Sequence, residues 1–239
     1  MKHYIMGKHV IEEVLNITPQ RFIRVYSCKK DSPLLKALKK THINTLIVSQ
    51  SQLFSLVRST SHQGFVAEVH ARHFMNLQKF LSHLPTTSLV VMCDSIADPQ
   101  NFGTILRACE CFGVDALIFS KNRNVPITPV VSKASAGGSE LVPLIMVSNL
   151  ADTLHKFRNA GYSIVATKHH TQNLYTFTFP NHTLLIIGNE GKGIQTLLSK
   201  KADTHIAIPM YGKIESLNVS QATAVLLSHW KKGCHPLKK

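Results

Sequence analysis

From residue 88 onward, short apolar runs alternate with segments of helical periodicity, and this alternation constrains the fold more than any other feature of the chain. The clearest runs are LVVMCD (89–94), ALIFS (116–120), YSIVAT (162–167), TLLIIG (183–188) and THIAIP (204–209). Strands that are apolar throughout are typical of a parallel sheet covered by helices on both faces. The pattern therefore predicts an α/β fold, whose ligands bind in loops at the carboxyl ends of the strands.

The first 73 residues differ from the rest in charge density. They contain 11 basic and 4 acidic residues, and their net charge of +7 equals that of the rest of the chain, which is more than twice as long. Their pattern alternates between helical and strand-like segments. We predict a small N-terminal α/β domain at 1–73, a polar linker at 74–87 and a second domain at 88–239. The basic tail KKGCHPLKK (231–239) is expected to be frayed.

The charge of the whole chain predicts the class of its partner. A formal net charge of +14 and a pI near 9.7 favour binding to nucleic acid. No apolar run approaches the roughly 20 residues that span a bilayer. Glu12 and Glu13 come too early for a signal peptide, and five cysteines without a CxxC pair fit a reducing compartment. We therefore expect a cytoplasmic protein that has no contact with a membrane.

A metal site is not expected from the cysteines and histidines. Cys93, Cys109 and Cys111 lie in core-like or near-core patterns, where buried free cysteine is common. The adjacent His169 and His170 belong to no group with the spacing of a four-ligand site.

The first loop whose residues could bind a ligand or take part in a reaction is DSIADPQNFGTILRA, residues 94–108. Pro99 suits the first position of a helix, Asn101 can cap that helix or contact a ligand, and Gly103 permits a close approach. Arg107 lies on the same helix but off its apolar stripe. Two interpretations of Arg107 stay open: a solvated surface residue, or a group that reaches a phosphate or a ribose hydroxyl.

The second loop is GNEGKGI, residues 188–194, directly after a buried strand. It lacks the Lys-Ser or Lys-Thr ending of a Walker loop, and its glycine spacing differs from that of the dinucleotide fingerprint. Glu190 is either an acid favoured by the dipole of a following helix, or a carboxylate that accepts hydrogen bonds from a neutral ligand or orients a catalytic group. Both interpretations disfavour a polyphosphate.

The third loop lies within IPMYGKIESLNVSQATAVLL, residues 208–227. A strand ends at Pro209, and the segment SLNVS opens a long apolar helix. Ser216 or Asn218 would make an ordinary N-cap for that helix.

Together and in this order, the three loops carry a resemblance. The patterns D-P-x-N-x-G-x-x-x-R-A, G-N-E-G-x-G and I-P-M-x-G-x-x-x-S-L-N-V-S-x-A closely resemble the motifs of the SpoU/TrmH family of SPOUT methyltransferases, over residues 88–231. Residues 1–73, including HQGFVAEV at 62–69, resemble the family's N-terminal RNA-binding domain.

The resemblance implies a fold and a cofactor. The expected C-terminal fold is a SPOUT parallel sheet with a trefoil knot, whose loops hold S-adenosylmethionine. S-adenosylmethionine consists of a neutral adenosine beside a sulfonium cation and has no phosphate. A glycine loop with a central carboxylate suits this cofactor, because the carboxylate does not repel it. Gly188, Ile208 and Leu217 are expected to contact the cofactor, with Thr167, Met210 and Asn218 close by.

The resemblance also implies a reaction: methylation of a ribose 2′-hydroxyl, with a guanosine of 23S ribosomal RNA as the expected target. The expected catalytic residues are Arg107, Asn101, Glu190, Ser216 and Asn218. Arg107 is either a general base, which its high pKa opposes, or a stabiliser of the developing alkoxide. Family members are homodimers with the knot at the interface, an arrangement in which Arg107 can serve the partner subunit's cofactor.

Two alternatives remain at this point. In the first alternative, the enzyme methylates transfer RNA. The presence of the N-terminal domain argues against this alternative and for ribosomal RNA as the substrate. The second is a non-catalytic RNA-binding protein that kept the fold, against which the intact Asn101, Arg107, Glu190 and Asn218 argue.

Overall fold

The computed structural model describes residues 3–234, apart from the side chains of His170 and Cys234. These residues form ten α-helices and ten strands, and the strands are arranged in two separate sheets. The expected α/β class is therefore confirmed. Of the tail that was expected to be frayed, residues 231–234 belong to the last helix. Residues 235–239 lie outside the described part of the chain.

The first sheet has four strands and lies within the first 69 residues. Its elements are β1 (His3–Met6), α1 (Lys8–Ile17), β2 (Phe22–Ser27), α2 (Pro33–Lys40), β3 (Thr45–Ile47), α3 (Gln50–Val57) and β4 (Phe65–Val69). In the strand order β1-β4-β2-β3, β4 is antiparallel to both neighbours and β3 is parallel to β2. The strand β1 was not predicted, because four residues are too few for a strand's periodicity to be recognised.

The second sheet has six strands in the order β10-β8-β9-β5-β6-β7, and every pairing is parallel. Its strands are β5 (Ser88–Asp94), β6 (Ala116–Ser120), β7 (Leu144–Val147), β8 (Ser163–Asn173), β9 (His182–Gly188) and β10 (Thr204–Ala207). The accompanying helices are α4 (Leu77–Leu81), α5 (Pro99–Cys111), α6 (Pro129–Ala134), α7 (Gly138–Leu141), α8 (Leu150–Asn159), α9 (Thr196–Lys200) and α10 (Val219–Cys234). The predicted parallel sheet is confirmed.

Helices cover both faces of the second sheet, as the apolar strands require. Val91 and its neighbours on one face pack with Phe102 of α5 and Trp230 of α10. Val90 belongs to the other face, where Phe157 of α8 contributes to the core. Successive residues of a strand point to opposite faces, so a strand between two helical layers is apolar at every position.

Several boundaries differ from the sequence-based expectations. The linker at 74–87 contains the short helix α4, and two short helices, α6 and α7, lie between β6 and β7. The strand expected to end at Thr167 continues to Asn173, because its second half pairs with β10 across a register shift. The expectation for Cys111 is wrong: its side chain is exposed, whereas Cys93 and Cys109 are buried in the core.

The two sheets are joined by buried polar contacts. Arg21, directly before β2 of the first sheet, forms an ion pair with Glu140 of α7, whose side chain is only 4% exposed. Arg72 Nη2 donates a hydrogen bond of 2.6 Å to the carbonyl of Val142, and burial lowers the pKa of Arg72. The N-terminal unit therefore packs against the α7–β7 region of the same chain.

Candidate active site

A pocket of about 600 Å³ lies at the carboxyl ends of β9 and β10 and beside the middle of β8, and the carboxyl ends of strands are where a parallel sheet is expected to bind its ligand. Its walls come from these strands, from the loop after β9 and from the segment between β10 and α10. The predicted site residues that line it are Thr167, Gly188, Glu190, Ile208, Met210, Ser216 and Leu217.

The glycine loop after β9 folds back on itself. Asn189 and Gly193 exchange two backbone hydrogen bonds, of 3.1 and 2.8 Å. A Cβ atom on Gly188 would lie 2.4 Å from the carbonyl carbon of Gly193, so only glycine fits at position 188. Asn189 Oδ1 accepts hydrogen bonds from the backbone N–H groups of Gly191 (2.9 Å) and Lys192 (3.2 Å). The side chain of Asn189 therefore takes up the backbone N–H groups of Gly191 and Lys192, which a bound phosphate would otherwise need as donors.

Glu190 is the centre of a three-residue hydrogen-bond network. Its Oε1 accepts a 2.6 Å bond from Asn101 Nδ2 and a 2.6 Å bond from Asn218 Nδ2. Asn218 Nδ2 also donates to Asn101 Oδ1 at 3.0 Å. Glu190 precedes the start of α9 by six residues, which is too far for the dipole of that helix to explain its presence. The interpretation that Glu190 orients other groups of the site is therefore the one that fits.

The N-terminal ends of two helices hold the two asparagines in place. Asp98 caps α5 by accepting a 3.0 Å bond from the backbone of Gln100, so Asn101 in the first turn is free to face the pocket loop. Asn101 is 8% exposed. Asn218 caps α10, since its Oδ1 accepts bonds from the backbone and hydroxyl of Ser220 (2.9 and 2.6 Å). Of the two N-cap candidates, Asn218 takes the role.

Gly103 makes its close approach to a helix and not to a ligand. A Cβ atom on Gly103 would lie 2.4 Å from Ala134 Cβ and 2.7 Å from the carbonyl oxygen of Val131. This glycine therefore lets α5 and α6 pack closely, and Asn101 lies on the part of α5 that this packing fixes.

Arg107 lies apart from the pocket of its own chain. Its side chain is exposed, it is not among the pocket residues, and within residues 3–234 it forms no hydrogen bond or ion pair. It follows Asn101 by six residues, which places it roughly 9 Å further along the axis of α5 and on another face. One chain thus brings Asn101, Glu190 and Asn218 together but does not bring Arg107 to them.

Sequence analysis missed a buried carboxylate that supports the site. Asp94, at the end of β5, is fully buried. Its Oδ2 accepts a 2.7 Å bond from the backbone of Gln195, and its Oδ1 accepts bonds from the Gln195 side chain and from the Ser95 hydroxyl. These contacts hold the segment between the glycine loop and α9 against β5. The sequence did contain a signal for this residue, because Asp94 is an acid directly after the apolar run LVVMC (89–93).

Charged residues of the pocket were also not assigned from the sequence: Lys168, Lys192, Lys200 and Glu215. No motif of the sequence marked these four residues. Among the described residues, no group of three or more His, Cys, Asp or Glu side chains is placed to hold a metal ion. In the same part of the chain, no helix is long and apolar enough to cross a membrane.

Two family models match the chain. The model of the SpoU rRNA methylase family matches residues 88–228. The chain belongs to the SpoU rRNA methylase family. A second model, for the substrate-binding region of RNA 2′-O ribose methyltransferases, matches residues 4–75. The resemblance stated from the three motifs is therefore confirmed.

Relatives within the SpoU family match along nearly their whole length. The 23S rRNA (guanosine-2′-O-)-methyltransferase RlmB of Shewanella oneidensis is 34% identical over 232 residues, which cover 93% of this chain and 94% of the relative. The protein of the same name from Photorhabdus laumondii is 34% identical over 236 residues, covering 95% and 96%. The SpoU methyltransferase AviRb of Streptomyces viridochromogenes, solved with the cofactor AdoMet, superimposes with a TM-score of 0.82 over 97% of this chain and 89% of its own. Because the identity to AviRb is 23%, this likeness concerns the fold alone.

Proposed function

We propose that the protein transfers a methyl group from S-adenosylmethionine to a ribose 2′-hydroxyl of RNA, with a guanosine of 23S ribosomal RNA as the target. The observation that carries this proposal is the network of Asn101, Glu190 and Asn218, which ties the three motif loops together beside the pocket of a SpoU family chain. The target follows from relatives named for that reaction, which match over more than nine tenths of this chain.

The pocket fits S-adenosylmethionine in size and in chemistry. Its volume of about 600 Å³ lies in the range of roughly 300–1,000 Å³ that is usual for small-molecule sites. Gly188, Ile208 and Leu217 offer backbone and apolar contacts to an adenosine. Because Asn189 occupies the N–H groups of the glycine loop, the site suits a nucleoside better than a phosphate. When bound, the cofactor supplies an electrophilic methyl group on its sulfonium.

The chain's own residues position the reacting groups. Asn101 and Asn218 hold Glu190, and Glu190 Oε2 has no partner among the described residues, so it can accept a hydrogen bond from a ligand. Ser216, two residues before Asn218, lines the pocket and adds a hydroxyl to its polar groups. These groups orient the nucleoside and the incoming ribose, and such positioning accounts for much of the rate of a displacement reaction.

Arg107 acts on the 2′-hydroxyl from the partner subunit of a homodimer. Its distance from the pocket of its own chain favours this arrangement, because α5 presents Arg107 on an exposed face where a second chain can meet it. Arg107 then either removes the hydroxyl proton or stabilises the developing alkoxide. Both roles require that it reach the ribose in the assembled dimer.

The domain division and the knot belong to the same proposal. Residues 1–73 bind RNA, 74–87 connect, and 88–239 hold the cofactor and the dimer interface. The trefoil knot is proposed from the family resemblance, and in this chain α10, which follows the edge strand β10, packs against α5. The proposal includes a cytoplasmic location, which suits an enzyme that acts on ribosomal RNA.

In vitro methylation tests this function. The purified protein is incubated with labelled S-adenosylmethionine and either 23S ribosomal RNA or transfer RNA, and the 2′-O-methyl sites are mapped. We expect one modified guanosine in 23S ribosomal RNA. Modification of transfer RNA alone would change the substrate, whereas calorimetry that finds no cofactor binding at millimolar concentration would favour the non-catalytic RNA-binding protein.

A further inference from the structure

A second cleft lies in the N-terminal unit, away from the active-site pocket. Its volume is about 550 Å³, again in the range of small-molecule sites, roughly 300–1,000 Å³. It is formed where α3 and the turn before β4 face the end of β2, and its lining includes Lys29, Gln50, Phe54, Thr60, His62 and Gln63. None of the described residues that line it is acidic.

The turn at residues 62–64 is built rigidly. The backbone N–H of Gly64 donates a 3.0 Å bond to His62 Nδ1, and that of Phe65 donates a 2.9 Å bond to the carbonyl of His62. Gln63 and Gly64 have φ angles of 54° and 86°, in the left-handed region. The hydroxyl of Ser27 donates a 3.1 Å bond to the carbonyl of Gly64. The cleft wall is therefore organised before any ligand arrives.

The turn carries two hydrogen-bond donors, on His62 and Gln63, and both residues line the cleft. His62 is only 6% exposed, and burial lowers its pKa, so the ring is neutral near pH 7. Because Nδ1 accepts the bond from Gly64, the proton of the neutral ring is on Nε2, which is a donor. Gln63 Oε1 accepts a 3.1 Å bond from the backbone of Lys8, which leaves the amide NH₂ of Gln63 as a second donor. Neither donor has a partner within residues 3–234.

An aromatic face and an ammonium group complete the cleft. The ring of Phe54 on α3 is 41% exposed although large apolar side chains are usually buried. The side chain of Lys29 crosses the turn, since a Cβ atom on Gly64 would lie 2.9 Å from Lys29 Cε. An aromatic face for stacking, donors for a base edge and a cation for a phosphate are the groups with which proteins hold single-stranded RNA.

We propose that this cleft binds one unstacked nucleotide of the RNA substrate. The base stacks on Phe54, its carbonyl oxygens accept from His62 Nε2 and from the Gln63 amide, and a flanking phosphate pairs with Lys29. Adenine has no carbonyl oxygen, so it is the base that the cleft binds least well. This inference rests on the proposed function, because it concerns the RNA that the enzyme modifies.

One residue of the cleft, Gln63, also lies near the second unit. A Cβ atom on Gly7 would lie 3.3 Å from Gln63 Oε1 and 2.7 Å from Lys133 Cδ of α6. Helix α6 packs in turn against α5, which carries Arg107. Lys133 thus lies near Gln63 of the cleft and on the helix that packs against the one carrying Arg107.

Binding of single-stranded RNA to the full chain tests this proposal. Affinities for oligouridylate and oligoadenylate are measured by fluorescence anisotropy over a salt series. Phe54→Ala should weaken binding of oligouridylate by roughly 5- to 100-fold, the effect of losing one base stack, without changing the salt dependence. Lys29→Ala should instead lower the slope of log affinity against log salt by about 1. Wild type should bind oligouridylate more tightly than oligoadenylate.

Ile23→Ala is the matched control, because Ile23 lies in the same unit, is also 41% exposed and does not line the cleft. It should bind RNA as wild type does. Wild-type affinity of Phe54→Ala, or an equal loss in Ile23→Ala, overturns the proposal. Cofactor calorimetry on the same samples separates it from the proposed function: absent cofactor binding refutes the methyltransferase, whatever the RNA affinities are.

Discussion

Asn218 Nδ2 donates a 2.6 Å hydrogen bond to Glu190 Oε1, and this bond joins the second and third motif loops of the site. The same oxygen accepts a 2.6 Å bond from Asn101 of the first motif loop. Hydrogen bonds to an ionised acceptor are roughly twice as strong as neutral ones. A single carboxylate thus fixes three loops that are far apart in the sequence, which explains why a negative charge occurs within a glycine loop.

Replacing Glu190 by glutamine tests this role. Glu190→Gln keeps the shape of the side chain but removes the charge that strengthens both hydrogen bonds. A hydrogen bond to a charged group contributes about 1.5–3 kcal/mol, so methyl transfer should fall by roughly 10- to 100-fold. Single-turnover rates at saturating cofactor and RNA measure the effect.

Glu215→Gln provides the control for the change of charge. Glu215 also lines the pocket, but within residues 3–234 it has no hydrogen bond to either asparagine. Its variant should keep most of the activity. If both variants lost activity equally, the net charge of the pocket would matter and the network would not.

The fold-back of the glycine loop leads to a second prediction. In Gly188→Ala, the new Cβ atom would lie 2.4 Å from the backbone of Gly193, so the loop must shift. Overpacking of this kind costs about 1–3 kcal/mol, and we expect a lower Tm and a loss of cofactor affinity by calorimetry. Gly191→Ala is the control within the same loop, because the nearest atom to its Cβ is Asn189 Oδ1 at 3.7 Å. An unchanged Tm in Gly188→Ala would contradict the steric argument.

Local patterns in the sequence predicted the elements of the second sheet well. The central residues of strands such as β5 and β9 are all apolar because both faces are buried, and that signal needs no knowledge of the partner strands. The helix with Asn101 was also placed correctly, since Asp98 and Pro99 form an ordinary helix start. The joining of the three loops, in contrast, came from the resemblance and not from periodicity.

Contacts between distant segments could not be predicted from those patterns. Gly103 was expected to permit a close approach, but nothing in the sequence around it indicates that α6 is the element that lies opposite. Arg21 and Glu140 are 119 positions apart, and neither stands in a motif. Such pairs are set by the docking of one unit on another, which is a property of the tertiary structure alone.

The ion pair between Arg21 and Glu140 leads to a third prediction. Both side chains are largely buried, with 14% and 4% exposed, so removing one charge leaves the other without compensation. Glu140→Gln should lower the free energy of unfolding by about 3–5 kcal/mol, as measured by urea denaturation. Asp31→Asn is the control, because its pair with Lys36 is exposed and should contribute less than about 1 kcal/mol. Equal effects would mean that the pair does not hold the two units together.

The exposed position of Arg107 leads to the fourth prediction. Arg107→Ala should reduce methyl transfer by at least about 100-fold, the scale of a general base or a charge-stabilising group. Cofactor affinity should not change, because Arg107 does not line the pocket. Weakened cofactor binding together with normal turnover at saturation would assign Arg107 to binding instead.

A mixed dimer identifies the subunit that Arg107 serves. Chains with Arg107→Ala and chains with Gly188→Ala are given different affinity tags, and the mixed dimer is purified through both. If Arg107 acts across the interface, this dimer has one complete site, formed by the intact pocket of one chain and the intact Arg107 of the other. About half of the wild-type activity should then return, because a two-fold dimer has two equivalent sites. If Arg107 serves its own chain, neither site is complete and the mixed dimer stays inactive. A protein that light scattering finds to be monomeric would exclude the shared site altogether.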